Sequence, residues 1–599
     1  MNKIFMTCGL LMFLCSSLFA QPANPAQSTN PAQPANSVQS ANTQPAGSAQ
    51  SSNDELIFRA MRQEIERGMN GLRLQNYTHP YHIGYVLTHT ESASVSASLG
   101  VVTSDRYTPG ERAVGGAIYT GDYELNSNGN YQPPYNFTRT AKDNYEGQIR
   151  RDLWLLSDGL YKSAASAYQN KEASLKRQNV EKTLPDMLRT EAVTLVDPSD
   201  LSLNADREEY RKVAKDLSAI FLDYPQLYNS GITISAVRHT TYMVNSEKST
   251  IKQPIVLYGL SMRCTIDTPD GIEISDSKFE LFPSKSAMPS TAEMRSAVDQ
   301  FAKKMSLLGN APEVKEHYFG PVLFEDAAVV SILTNVFLSP SALLGYRKPV
   351  DAESGGGGGG GGFGNRMGGG GGAPGGGAQA IPTLADRVGK RIVDSKFTVK
   401  NLTNLHEYQG KKLVGAYSVD IEGVVPPPSV TLIENGLFRR TLNSRIPTDI
   451  SSESTGSLRY GVGTTIAIMP GVLHISASGG EKMDKLHKKL FKGATEEGNN
   501  YAYIVRKLSP EPEIYLVDIK TGKETRVHNA TISNVTLNKL RRVMGVSNKE
   551  QVVNVQINSS IPASIICPTA ILVEDIEITP RETNKEQLFF TKNPLVRTQ

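Results

Sequence analysis

The chain has 599 residues, 39% of them hydrophobic and 21% charged, and its 63 Lys and Arg nearly balance 60 Asp and Glu for a net charge of +3. That length is enough for two domains or one large composite one. Charge this close to balance, with no basic patch interleaved with aromatics, excludes nucleic acid as an expected partner, and four cysteines without CxxC or Cys/His spacing offer no structural zinc site.

Lys3 supplies a short basic start, Ile4 to Phe19 is an apolar run, and Leu18-Phe19-Ala20 before Gln21 fits a small-residue cleavage site. Residues 1–20 are therefore expected to be a secretory signal peptide rather than an anchor. Lipidation of Cys15 is the weaker reading, because Leu14 precedes it where a small residue is usual. No other long apolar run follows, so the mature chain is expected to be soluble, without a membrane span, and exported to the periplasm or the cell exterior. Cys264 and Cys567 then remain. An oxidising compartment permits one disulfide between them, although two distant thiols are more often simply buried. Residues 21–53, rich in Gln, Pro, Ala, Asn and Ser, bury too little apolar surface to offset ordering entropy and read as a disordered linker.

An N-terminal domain is expected over 54–310. Leu56, Ile57, Ala60, Met61, Ile65 and Met69 have the spacing of an amphipathic helix over 54–71. Tyr81–Leu87 and Ser94–Val102 read as strands, and 117–119 with 123–125 as a further strand around Gly121-Asp122. His79, His82 and His89 fall at odd and even offsets along a strand, so they do not share one face and are no metal site. Tyr145–Lys176 is a long helix carrying the only tryptophan, Trp154, and Arg207–Phe221 is a second. Ile232–Val237, Thr240–Val244 and Ile255–Ile266 read as antiparallel strands, and Asp267-Thr-Pro-Asp-Gly271 as a turn. Asp267, Asp270, Glu273 and Asp276 lack the ordering of a calcium loop. Thr291–Leu308 is a third amphipathic helix.

The centre of the chain is 317–347. Pro321–Phe324 reads as a strand end, and Glu325 and Asp326 open a helix whose macrodipole favours their charge. Ala327–Leu338 is almost wholly apolar, so it belongs in an interior, and Pro340 stops it. The glycine-rich insertion 354–377 lacks the strand-loop-helix setting of a phosphate loop. It is either inert or a cover over a neighbouring cavity. Beyond it the pattern is mostly strand: 414–424, 429–433, 464–468, 473–476, 501–507, 513–518, 531–540 and 564–576, with Asn435-Gly436 a hairpin turn.

Gly-Pro-Val-Leu-Phe-Glu325, the apolar helix and Tyr346-Arg347-Lys348 together resemble the C-terminal half of the TldD/TldE (PmbA) family. The N-terminal helix followed by a meander, 150–162, the strand pair 430–445 and the closing stretches from 501 to 576 are similar to it as well. The resemblance implies an α+β fold, with an N-terminal α/β domain of long helices and a strand-rich TldD/PmbA-like C-terminal domain over 311–585. In the TldD branch the central helix begins His-Glu-x-x-x-His and its histidines bind a catalytic metal. Here those positions hold Glu325, Asp326 and, at the second histidine, Val330. The branch's third ligand, a cysteine near 545–550, is also missing, and Cys567 comes too late to replace it. The chain is therefore expected to be closer to the motif-less TldE branch.

The remaining chemistry is thin. His406-Glu407 is the only His-Glu pair, but position 410 is Gly and the flanks are not helical. No G-x-S-x-G elbow occurs. Glu325 and Asp326 can offer oxygen to a hard metal, though serving the helix start is their plainer role. No catalytic, cofactor or metal residues are expected, and no cofactor; zinc enters only under an alternative. The favoured reading is a non-catalytic subunit that pairs with a TldD-like metallopeptidase and helps enclose peptide. The alternatives are an active metallopeptidase with an altered metal site and a stand-alone envelope binding or assembly protein.

Overall fold

The computed structural model describes residues 46–582 apart from 133, 179–183, 200–202, 204–205, 340–341, 348–349, 351–383, 385–386 and 559, together with 594–595. The expected signal peptide, most of the expected linker and the glycine-rich insertion lie outside the described residues. Helix α1 (Ala46–Gly71) begins inside the stretch read as linker and buries Ile57, Phe58, Met61 and Ile65.

In the first domain, long strands surround a single sheet. They are β1 (Pro80–Ser98), β2 (Val101–Thr120), β3 (Asn136–Arg139), β4 (Thr194–Val196), β5 (Tyr228–Asn245), β6 (Thr250–Asp267) and β7 (Glu273–Phe282), ordered β3-β2-β1-β5-β6-β4 with β7 also on β6. Helix α2 (Glu146–Gln178) packs with α1 around Tyr85, Leu87 and Val114. Helices α3 (Arg207–Ser218) and α4 (Thr291–Leu308) pack at the other end around Val95, Ile234 and Leu260. Ser290 and Glu293 form a capping box that starts α4 at its expected residue. Trp154 on α2 is 48% exposed and lies under the Arg67 guanidinium.

The strands are longer than their apolar patterns suggest. β1 runs unbroken through Thr88–Ser92, and the turn falls at Leu99-Gly100, both at positive φ. β5 likewise joins two expected strands. In both cases polar residues that break the hydrophobic pattern pair across the strands, as where the half-buried Thr90 Oγ1 meets the buried His239 Nδ1 at 2.7 Å. Tyr123–Leu125 is no strand, because the Asp122 carboxylate accepts the Leu125 N–H at 2.8 Å and closes a turn.

The second domain is built on β8 (Tyr318–Glu325) and α5 (Asp326–Phe337). β8 pairs in parallel with Tyr501–Lys507 and antiparallel with Ala570–Pro580, so it is interior to a seven-stranded sheet. A six-stranded sheet, centred on Phe397–Leu402 and Val472–Ala477, packs alongside in one hydrophobic core that includes Val329, Leu333 and Phe337 of α5. Asn435 and Gly436 both take positive φ, as their hairpin turn requires.

Residues 414–424 are not a strand. An added Cβ at Gly415 would lie 2.1 Å from the Gly471 carbonyl oxygen, and a turn at Asp420–Gly423 follows. The expected strand 531–540 is only Ala530–Ile532, followed by a short 3-10 turn at Lys539–Arg541. A helix absent from the sequence reading, α6 (Met483–Glu496), buries Leu486, Leu490 and Ala494 against Leu323, Ile504 and Leu572. Among the described residues no helix is long and apolar enough to cross a membrane.

Candidate functional site

The motif position is where β8 hands over to α5. Asp326 turns the chain with φ at +48° and gives its N–H to the Thr569 carbonyl at 2.9 Å. Asp326 stands in the first turn of α5 as expected, whereas the N-cap Glu325 has no side-chain cap bond. Its carboxylate accepts from Arg506 Nε at 2.8 Å and faces His487 Nε2 of α6 at 3.6 Å, an ion pair rather than a hydrogen bond. Arg506 also reaches Glu524 at 2.9 Å, and its guanidinium lies 4.4 Å from the Tyr515 ring centroid.

Burial opposes ionisation of Glu325, but His487 and Arg506 outweigh it and hold the carboxyl below its ordinary value. In return the Glu325 carboxylate raises the imidazole of His487 against its desolvation. One turn along, Val330 is 7% exposed and packs in the apolar core. Asp326 projects an exposed side chain.

The loop where a third ligand would stand is close by. Gln551 Nε2 donates to the Asp326 carbonyl at 2.9 Å, and Ser547 N–H donates to the Ala570 carbonyl at 2.9 Å. Ser547 Oγ accepts from Ala570 N–H at 3.1 Å, so it is committed to the backbone. An open cavity of about 460 Å³ borders this loop, lined by Ser547, Lys549, Glu550, Gln409 and Pro568. Within the same region Glu550 receives Tyr408 and lies 3.1 Å from His474.

Zinc needs three protein ligands from nitrogen, sulfur or carboxylate. Glu325 is already engaged by the Arg506 guanidinium and faces the His487 imidazole, Val330 offers no donor and Ser547 is spent on the backbone, so the residues present do not fit zinc. Among the described residues no three His, Cys, Asp or Glu side chains converge. His406-Glu407 lies beside a two-residue bridge pairing Glu407 with Lys412, with both side chains exposed and no helix. Cys264 and Cys567 are buried free thiols, each pushed up to about 12 chiefly by burial. His82 is buried on β1, 3.7 Å from Glu247, and His79 precedes the strand. The acids at 267–276 are engaged elsewhere, Asp267 and Glu273 both accepting from Tyr228 and Asp276 from Lys507.

Sequence reasoning missed a second polar centre, where the two domains meet. Arg445 is the largest fully buried side chain, and its Nη1 and Nη2 clamp Glu247 at 2.7 and 2.6 Å. Its Nε donates to the Leu188 carbonyl, and its N–H to Glu422 at 2.9 Å. Glu247 lies in a Ser-Glu-Lys-Ser turn whose composition signals only a surface loop. His487 was missed because α6 carries six charged residues that blur its Leu486, Leu490, Ala494 stripe.

These features define an α+β protein with a strand-rich C-terminal part built around β8 and α5. Residues 379–580 match the PmbA/TldA metallopeptidase C-terminal domain. The chain's fold is similar to that of TldE from Thermococcus kodakarensis, at a TM-score of 0.55 and 13% identity over 87% of this chain and 100% of that one. It is also similar to a protein described as a modulator of a DNA gyrase from Thermotoga maritima, at 0.53 and 14% over 88% and 100%. No curated protein matches the sequence.

Proposed function

We propose that this chain is the exported, non-catalytic TldE-like half of a two-chain peptidase whose partner is a TldD-like metallopeptidase. The observation that carries this reading is the chemistry at the head of α5. A guanidinium engages Glu325 and an imidazole faces it, and an apolar Val330 stands where a ligand would be needed. A cation already sits against the one buried carboxylate there, and a metal would have to displace it. The scaffold around that position is nonetheless complete, with β8 paired on both edges and α5 packed in the core. A fold kept whole around a position without ligands suits a subunit that helps enclose peptide while another chain supplies the metal.

Tagged protein isolated from its native envelope should bring down a TldD-like chain in near-equal amount, and peptide cleavage should require both. Elution alone would favour a stand-alone binding protein. Cleavage of unfolded peptide by this chain alone would favour a metallopeptidase with an altered site. Either result overturns the proposal.

A further inference from the structure

Where the edge of the first sheet meets the second domain, a cavity of about 170 Å³ lies between Gln253–Leu257 of β6 and the Leu413–Asp420 segment, with Arg459 on its wall. Arg459 is 5% exposed. Its Nη1 donates to the carbonyl oxygens of Pro470 and Pro562, both at 2.7 Å, and its guanidinium lies 4.3 Å from the Tyr417 ring centroid. Among the described residues its Nε and Nη2 donate to nothing, and no carboxylate lies within ion-pair distance. Buried cations elsewhere are matched: Arg445 by Glu247, Lys252 by Asp54 and Lys171 by Asp186. Arg112 also lacks a carboxylate, but its unbonded Nε and Nη1 are sealed inside protein, whereas those of Arg459 are not.

A buried guanidinium costs several kcal/mol unless it is paired, and burial alone lowers the pKa of this one. The one carboxyl group on the cavity wall among the described residues, Asp420, does not pair with it. Its oxygens accept the N–H groups of Glu422, Val424 and Leu458 at 2.9, 2.9 and 3.3 Å. Burial and the nearby Glu422 also push the Asp420 carboxyl up from its ordinary value. A second feature borders the same space. Over Gln253–Leu257 the outer edge of β6 has no partner strand among the described residues, since β4 pairs only as far as Lys252 and β7 only from Tyr258. That edge leaves backbone groups for an extended chain.

We propose that this cavity binds a carboxylate through Nε and Nη2 of Arg459. Two sources share that chemistry: a small free organic acid, or the C-terminal carboxylate of a chain laid along the β6 edge. The inference does not rest on the subunit role proposed above, since it concerns this chain alone.

The test is calorimetric titration of the purified full chain with sodium acetate, acetyl-dialanine and acetyl-dialanine amide. A charge-assisted pair predicts that acetyl-dialanine binds roughly tenfold or more tightly than its amide. Equal binding of acetate and acetyl-dialanine identifies a free acid as the source. Preference for acetyl-dialanine over acetate identifies a chain terminus. Arg459→Gln should abolish the difference between acid and amide. Should that variant not fold, Ala416→Leu fills the cavity from its rim, leaves Arg459 in place and should remove binding without lowering Tm. If acid and amide bind alike, if neither binds at millimolar concentration, or if Ala416→Leu binds as the native chain does, the proposal is wrong.

Discussion

Replacing Arg445 by methionine tests whether the two domains are held by a buried ion pair. The guanidinium is 1% exposed, and it makes two bonds to Glu247 and one to the Leu188 carbonyl, while Glu422 stands beside it at 6% exposure. Methionine keeps most of the packing and removes all of the charge. Glu247 is then left largely buried as an uncompensated anion, and breaking such a pair from one side costs about 3–5 kcal/mol. Burial alone would raise the Glu247 carboxyl, but Arg445 overrides it and holds that group below its ordinary value. A depressed folded-state pKa contributes stability above the unfolded value of about 4.3 and loses it as pH falls through the folded value. The cost of Arg445→Met should therefore be largest at neutral pH and shrink below about pH 4, where protonated carboxyls need no counter-ion. Urea unfolding midpoints at neutral and acid pH, with an unchanged slope, measure this directly. Adding Glu247→Gln to the methionine variant should recover part of the loss. A neutral-pH cost under about 1 kcal/mol, the range of a surface pair, would refute the reasoning. So would a cost that does not change with pH.

The purified chain should carry no stoichiometric zinc by elemental analysis; about one zinc per chain, lost on replacing Glu325 or Asp326, would contradict this. Burial lowers the imidazole of His239 to about 4, below an unfolded value of about 6.5, so the unfolded chain protonates first. Stability should thus decline as pH falls from about 6.5 to 4, and His239→Gln should flatten that limb in a thermal melt series. Gly415→Ala should destabilise by about 1–3 kcal/mol or more, because its Cβ would meet the Gly471 carbonyl backbone; unchanged Tm would show that the 413–420 segment yields. Ser290→Ala removes the capping box of α4 and should cost about 1 kcal/mol in chemical denaturation.

Much of the fold was legible because its elements satisfy themselves locally. Thr291–Leu308 carries its own cap and stripe, Asn435-Gly436 its own turn, and 501–507 and 513–518 their own alternation, and each stands where the residues indicated. The apolar run after Asp326 could only be interior, and it is. Longer strands were not legible. Pairing Thr90 with His239 is favourable only when β1 and β5 lie side by side, and a pattern of hydrophobicity cannot register a hydrogen bond across 149 residues.

What the sequence by itself determined is therefore the class of fold and the positions of the self-capped elements. What only the tertiary structure decided is the state of each buried charge. Glu325 looked like a helix-start acid, and Arg506 and His487, 181 and 162 positions away along the chain, make it an ion-paired one instead. Glu247 looked like a turn residue until Arg445 closed on it from the other domain. Arg459 resembled any other surface arginine until the sheet edge enclosed it without a carboxylate. The reason is common to all three. The energy of a charge depends on its partners and its solvent, and folding sets both through contacts that a local stretch of sequence does not contain.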